Sequence, residues 1–263
     1  MRISRAAPLL FLCSLIPAAL SAQQSASAAP PSPRDPQAVA AVQAAMAAFG
    51  GSAVGQSQQV QAQTQSSGPS GSLPTTVTWE MAGSEFRIAL SDSSGSSVIV
   101  TGHGNPMATI HGNSQAVPNH VVQAMFIPAF AGAILAREFQ NPNYSLRYIG
   151  TETVNGTPCT AVRTVLPTTP VNAALTDQIW YFSNATNLPI RVIYRSPADQ
   201  TPLISIPETV DLSNFTSVSG GLYPFSIVVS RQDAEVAAIT LQSVNPNANI
   251  PPTDFNSTAG GAQ

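Results

Sequence analysis

From Tyr144 onward the chain alternates between short runs of apolar, β-branched or aromatic residues and tight polar turns, the pattern of an antiparallel sheet made of hairpins. Residues 178–197 are its clearest stretch. Two dense apolar runs, 179–182 and 190–194, flank a loop of Ser, Asn and Thr that closes with Leu188-Pro189. Trp180 and Phe182 share one side of the first strand, Ile179 and Tyr181 the other. Asn155-Gly156 predicts a hairpin between strand pieces 145–150 and 152–154 and a return strand 158–165, because both central residues of that turn take positive φ. A third pair, 210–218 and 223–230, turns across Gly220-Gly221. A last strand covers 236–244, and the stretch around Pro202 and Pro207 reads as a connection. Each return strand opens near a proline (Pro158, Pro189, Pro224), which fixes φ there.

Two segments break the alternation. Asp35-Pro36 supplies an N-cap and a first-turn proline for a helix to about Phe49, with Gly50-Gly51 as its stop. Val39, Val42, Met46 and Phe49 recur at helical spacing and form its apolar face. Residues 118–140 are strongly apolar without β-type alternation: a helix from about Asn119 that breaks or kinks at Pro128, then a second helical piece to about Phe139. An internal proline costs about 3 kcal/mol. Met125, Phe126, Ile127, Phe130, Ile134 and Leu135 give this flap more apolar surface than a half-exposed helix requires, so it needs a deep groove. Between the two segments, strands 76–80 and 85–90 pair through Ala82-Gly83-Ser84, with Phe86, Ile88 and Leu90 on one side. Residues 54–65 and 98–101 are further strands, and 102–106 end the last of these.

The amino terminus changes the picture from fold to compartment. Arg2 and Arg5 precede an apolar run from Ala6 to Leu20 and then small residues, the layout of a secretory signal peptide over residues 1–22. The run is shorter than the about 20 residues of a membrane span and is broken by Pro17. No transmembrane span is expected once it is removed. Residues 23–35 read as a disordered linker, 36–255 as one domain, and 256–263 as a flexible tail beyond Phe255. The chain carries ten arginines and no lysine; loss of Arg2 and Arg5 leaves eight basic against thirteen acidic side chains, a net charge of −5. No basic cluster exists to displace counterions from phosphates, so nucleic acid is excluded as a partner. Cys13 leaves with the signal. Cys159, then alone, reads as a buried thiol, and no disulfide is expected within the chain.

No reaction centre emerges. His103, His111 and His120 match neither the helical spacing of zinc hydrolases nor a compact Cys/His site. No G-x-S-x-G elbow occurs, and the carboxylates are scattered. The expectation is a non-enzymatic protein without cofactor or metal.

A family resemblance rests on Thr78-Trp79-Glu80, the apolar flap, Tyr148-x-Gly150-x-Glu152-x-Val154-Asn155-Gly156-x-x-Cys159, the run from Trp180-Tyr181-Phe182 to Leu188-Pro189, and the Gly221–Pro224 turn. Over about residues 37–255 the chain resembles exported bacterial proteins of the LolA/LolB outer-membrane lipoprotein-carrier superfamily. Ser183 stands where such hairpins often carry Asp, and Asn187 where they often carry Gly. The resemblance implies an α+β fold: a curved antiparallel sheet forming an incomplete β-barrel, covered by helices, whose inner face accepts acyl chains. A curved sheet with one dry face beneath an apolar flap is also a physical recipe for a covered cavity. The residues expected to line it are Trp79, Phe86, Met125, Phe126, Phe130, Leu135, Trp180 and Phe182. The ligand would be a lipid, a lipoprotein acyl chain or another apolar molecule, and the compartment periplasmic or extracellular. The alternative is a solid core that the flap completes, in a module that binds an envelope protein.

Overall fold

The computed structural model describes residues 33–50, 57–66, 73–93, 95–101, 106–110, 112–117, 119–169, 176–198 and 201–256. Thirteen antiparallel strands form one sheet: β1 (Ser57–Ser66), β2 (Leu73–Ala82), β3 (Glu85–Asp92), β4 (Gly95–Thr101), β5 (Met107–Ile110), β6 (Asn113–Ala116), β7 (Ser145–Val154), β8 (Thr157–Val165), β9 (Gln178–Ser183), β10 (Pro189–Ala198), β11 (Thr201–Val218), β12 (Gly221–Arg231) and β13 (Ala234–Asn245). Their spatial order is β6-β5-β4-β3-β2-β1-β13-β12-β11-β10-β9-β8-β7. The sheet is therefore two meanders, joined where β1 pairs with β13. It curves without closing, since β6 and β7 are the two outer strands. Register shifts at Gln61/Ala62, Tyr148/Gly150, Pro189/Arg191 and Val229/Ser230 mark the irregularities that bend such a sheet.

Helix α1 (Pro36–Ala48) precedes β1, and helix α2 (Asn119–Gln140) connects β6 to β7. At 22 residues α2 has about 33 Å of helical rise, and it links β6, one outer strand, to β7, the other. Topology thus makes α2 a cover. One large cluster unites α1, α2 and the inward residues of most strands, including Val60, Trp79, Ile88, Trp180, Val192 and Ile227. A small second cluster, Val154, Cys159, Ala161 and Tyr181, lies on the other face of β7–β9. Trp180 and Phe182 accordingly face α2, while Tyr181 faces away.

The expected turns are present where their chemistry is local. Asn155 and Gly156 take φ of 49° and 81°, and Asn187 takes 59°. Asp35 caps α1, its carboxylate accepting from the Gln37 amide at 2.8 Å. Cys159 is fully buried and free. α2 kinks as expected, two helical pieces meeting at Phe130 (φ −125°, ψ 32°), two residues past Pro128.

Other expectations are corrected. The inward stripe of α1 is Ala38, Val42, Ala45 and Phe49; Val39 and Met46 only flank it, because small side chains let the helix sit close to the sheet. β7 is one bulged strand rather than two pieces. The Pro202 and Pro207 stretch belongs to β11. Thr201 and residues 205–207 pair with β10 alone, across an irregularity that contains Pro202, since pairing with β12 begins at Glu208, and a proline is tolerated where no partner needs its N–H. β5 and β6 were not expected; β6 is short and fully exposed, so it carries no hydrophobic period. Residues 1–32, 102–105, 111 and 257–263 lie outside the described residues, and with them the signal, most of the linker, the tail end, His103 and His111.

Candidate functional site

Of the eight residues expected to meet a ligand, Met125, Phe126, Phe130 and Leu135 lie on α2 and Trp79, Phe86, Trp180 and Phe182 on strands, all in or against the large apolar cluster. Phe126 and Phe130, one helical turn apart, lie against Phe86 of β3, with ring centroids 4.4 and 6.2 Å from it. Trp79 of β2 donates its indole N–H to the Met125 carbonyl at 3.2 Å, tying the sheet to the turn before the kink. Met125 is half-buried, and Leu135 is fully buried nearly three turns further on. Trp180 and Phe182 of β9 stack at 6.5 Å in the same cluster, nearer the opposite outer strand. Among the described residues, seven of the eight are buried and Met125 is partly buried.

One opening adjoins this cluster and another lies on the outer face of the sheet. A cleft of 260 Å³ separates the second half of α2 from the β2–β3 turn, with Met81, Gly83, Phe86, Ala133, Ile134 and Arg137 in its walls. Arg137 is exposed, and its guanidinium lies 5.2 Å above the Phe86 ring, a cation at the rim of an apolar slot. A more open depression of 710 Å³ gathers Arg147, Arg163 and Arg195 with Asp177. Arg147 and Arg163 are direct partners in the β7–β8 register, and Asp177 accepts two hydrogen bonds from Arg163 at 2.6 and 2.7 Å.

Polar groups enter the apolar interior at three places. At the end of α2, Glu138 accepts from Thr164 Oγ1 at 2.9 Å and from Gln178 Nε2 at 2.7 Å. Burial, only partly opposed by these bonds and by Arg137, lifts its pKa to about 7. Across β10–β12, Glu208 accepts from Tyr194 at 2.5 Å and from Arg231 at 3.1 Å. Burial first, and then the Glu208 charge, pushes the Tyr194 hydroxyl up. Both carboxylates are fully engaged. The third place, Gln58 of β1 with Tyr223 of β12, differs: among the described residues neither Gln58 Nε2 nor the Tyr223 hydroxyl has a hydrogen-bond partner. No group of three or more His, Cys, Asp or Glu that could hold a metal ion occurs among the described residues.

No family model matches the sequence, and no curated protein is similar to it by sequence. Solved structures are similar in shape. A domain from Vibrio parahaemolyticus named for outer membrane lipoprotein sorting superposes with a TM-score of 0.57 at 12% identity, covering 84% of this chain and 97% of that one. A LolA superfamily protein from Nitrosomonas europaea gives 0.57 at 12% identity, covering 83% and 97%. The fold is that of the LolA superfamily. A DUF1329 family protein from Desulfovibrio piger shares this LolA-like fold, with a TM-score of 0.56, 12% identity, and 84% and 97% covered.

The aromatic residues were legible as dense apolar runs on the two segments that a LolA-like fold brings together. Glu138, Gln58 and Tyr223 were not. Their only signal is parity: Gln58 alternates with Val60 and Ala62 on a face that is otherwise dry.

Proposed function

We propose that this is an exported, non-enzymatic carrier that binds a lipid, an acyl chain or a similar apolar ligand between α2 and the inner face of the sheet. The observation that carries it is α2 itself. Residues 126–136 of this helix are all buried, yet the helix is kinked at Phe130, contains Pro128, and is flanked by an apolar cleft. A helix interrupted by proline has lost part of its own hydrogen bonding and bends at lower cost than a regular one. Moving Phe126 and Phe130 off Phe86 would open the cleft inward, and Arg137 at its rim suits an anionic or ester head group. A LolA-like fold and the names of its structural neighbours support this reading, and so does the basic-then-apolar amino terminus. No helix among the described residues is long and apolar enough to cross a membrane.

Native mass spectrometry of protein purified from its own host, with titration of a fluorescent fatty acid, tests the proposal. Co-purified lipid or saturable uptake is expected. Neither, with the protein folded, refutes it.

A second reading, an envelope interaction module with a solid core, draws on the arginine-lined depression. Three of the chain's ten arginines meet there against one aspartate, which suits an acidic protein surface. Crosslinking that recovers a specific partner, together with no acyl uptake, would favour it.

A further inference from the structure

Beneath the kink of α2 lies a void of 10 Å³, walled by Gln58 of β1, Tyr223 of β12, Phe49 at the end of α1, and residues 129–133 of α2. That is close to the least space that one water-sized group occupies, roughly 10–15 Å³. Two polar side chains line it. Gln58 is 1% exposed and Tyr223 is 4% exposed. Among the described residues, Gln58 Nε2 and the Tyr223 hydroxyl are both without partners. A buried polar group left unmade costs about 1–3 kcal/mol, so two on one void are a standing expense that an apolar pair would avoid. The carboxylates of the other two buried polar sets, Glu138 and Glu208, are engaged; among the described residues Gln178 Oε1 and Trp180 Nε1 are buried without partners as well, but only Gln58 and Tyr223 share a void.

The two groups are also held in place. The Leu222 amide donates to the Phe49 carbonyl at 2.9 Å, fixing the start of β12 to the end of α1. Gly50 presses on the β11–β12 turn: a Cβ there would stand 2.3 Å from the Gly220 carbonyl oxygen. The Tyr223 ring lies across Gly221, where a Cβ would come within 2.9 Å of Cε2 and 3.1 Å of the hydroxyl. Gln58 sits inside a strand paired on both edges, opposite Met81. On the facing wall is the one turn of α2 with non-helical backbone.

We propose that Gln58 and Tyr223 form a buried oxygen-binding subsite that receives the carbonyl oxygen of an acyl ligand. The amide of Gln58 offers N–H donors and the hydroxyl of Tyr223 an O–H donor, so an acceptor oxygen satisfies both. No charged side chain lines the void, and an ionised carboxylate would enter it at a large desolvation cost, whereas an ester or amide carbonyl would not. The subsite therefore selects neutral acyl esters or amides over fatty-acid anions and over hydrocarbons. This assignment rests on the carrier reading, and names the chemistry of what is carried.

The test is displacement of an apolar fluorescent dye from the full chain by methyl palmitate, palmitate and hexadecane, in wild type, Gln58→Leu and Tyr223→Phe. Methyl palmitate is expected to bind wild type about 10-fold tighter than hexadecane, in line with one or two neutral hydrogen bonds. Each substitution should erase most of that advantage while leaving hexadecane affinity within about twofold and the ligand-free melting temperature no lower, since each removes an unsatisfied group. Equal affinity for ester and hydrocarbon overturns the subsite alone, as does a preference for palmitate that survives both substitutions. Lowered melting temperatures with unchanged affinities would show an ordered water held there instead, and also overturn it. Binding of none of the three ligands overturns the carrier reading and the subsite with it.

Discussion

Glu138→Gln isolates the energetic cost of a buried carboxylate at the end of the covering helix. Glu138 is 3% exposed, and burial raises its pKa from 4.5 to about 7. The folded state therefore holds a proton that the unfolded state has released between those two values. Stability from this residue is complete below about pH 4.5, declines by up to about 1.4 kcal/mol per pH unit through the window, and levels off above about pH 7, a total loss of about 3 kcal/mol. Glutamine has the same shape and no charge. Its carbonyl can accept from Thr164, and its amide can donate to Gln178 Oε1, which is otherwise unpartnered among the described residues, after a flip of the Gln178 amide. Arg137 and Tyr144 are the titratable neighbours. Tyr144 is pushed up to about 12, first by burial and then by the Glu138 charge, so it does not titrate in the window. Urea unfolding of wild type and variant from pH 4 to 8.5, as a difference between the two, removes the contribution of every other carboxylate. The variant should gain about 3 kcal/mol relative to wild type across the range. Parallel pH curves, or a wild type that gains on the variant as pH rises, would refute the account of Glu138 as a desolvated acid.

Three further substitutions probe the frame. Phe126→Ala removes a 1% exposed ring packed at a tilt against Phe86 and should cost about 3–5 kcal/mol in urea unfolding; a loss below about 1 kcal/mol would mean that α2 does not dock on the sheet in solution. Gly50→Ala combines a φ of 106° with a Cβ driven into the Gly220 carbonyl, and should lower stability by about 3 kcal/mol; a neutral result in thermal melts would show the α1 terminus to be separated from the β11–β12 turn. Asp35→Ala loses the cap on α1 and should cost about 1 kcal/mol, with Asp35→Asn or Asp35→Ser restoring most of it.

What was legible in the sequence is what is decided locally. Asn155-Gly156 and Asn187 announce their turns because left-handed backbone is a property of one or two residues. The apolar excess of residues 125–135 announces a covered helix because surface area needs no partner to be counted. The pairing of β1 with β13 depends on two segments far apart in sequence, with Gln59 opposite Asn245, and no local period encodes it. The strand character of residues 201–207 comes from β10 alone, in a stretch whose prolines argue the other way. The Gln232-Asp233 turn takes φ of 52° and 63° without a glycine, so tight connection to β13, rather than residue preference, imposes it. In the site, the aromatic wall could be named but Gln58 could not, because it stands among Gln59, Gln61, Gln63 and Gln65 and differs from them only in which face it shows and how its neighbours close over it.

The junction of the two meanders has a consequence for how the chain comes together. Every other strand pair forms between neighbours in sequence, contacts that assemble early; β1 must wait for β13, made last, before its outer edge is covered. Until then a strand of sequence Ser-Gln-Gln-Val-Gln-Ala-Gln-Thr-Gln-Ser displays open amides along that edge, the composition that stacks side-chain ladders between molecules. In the finished sheet the same strand sits in the middle, paired on both sides and shielded by β2 and β13. The β1–β13 pairing that joins the two meanders is thus also what removes the sheet's most self-associating surface, and conditions that delay β13 should favour aggregation through β1 over unfolding in place.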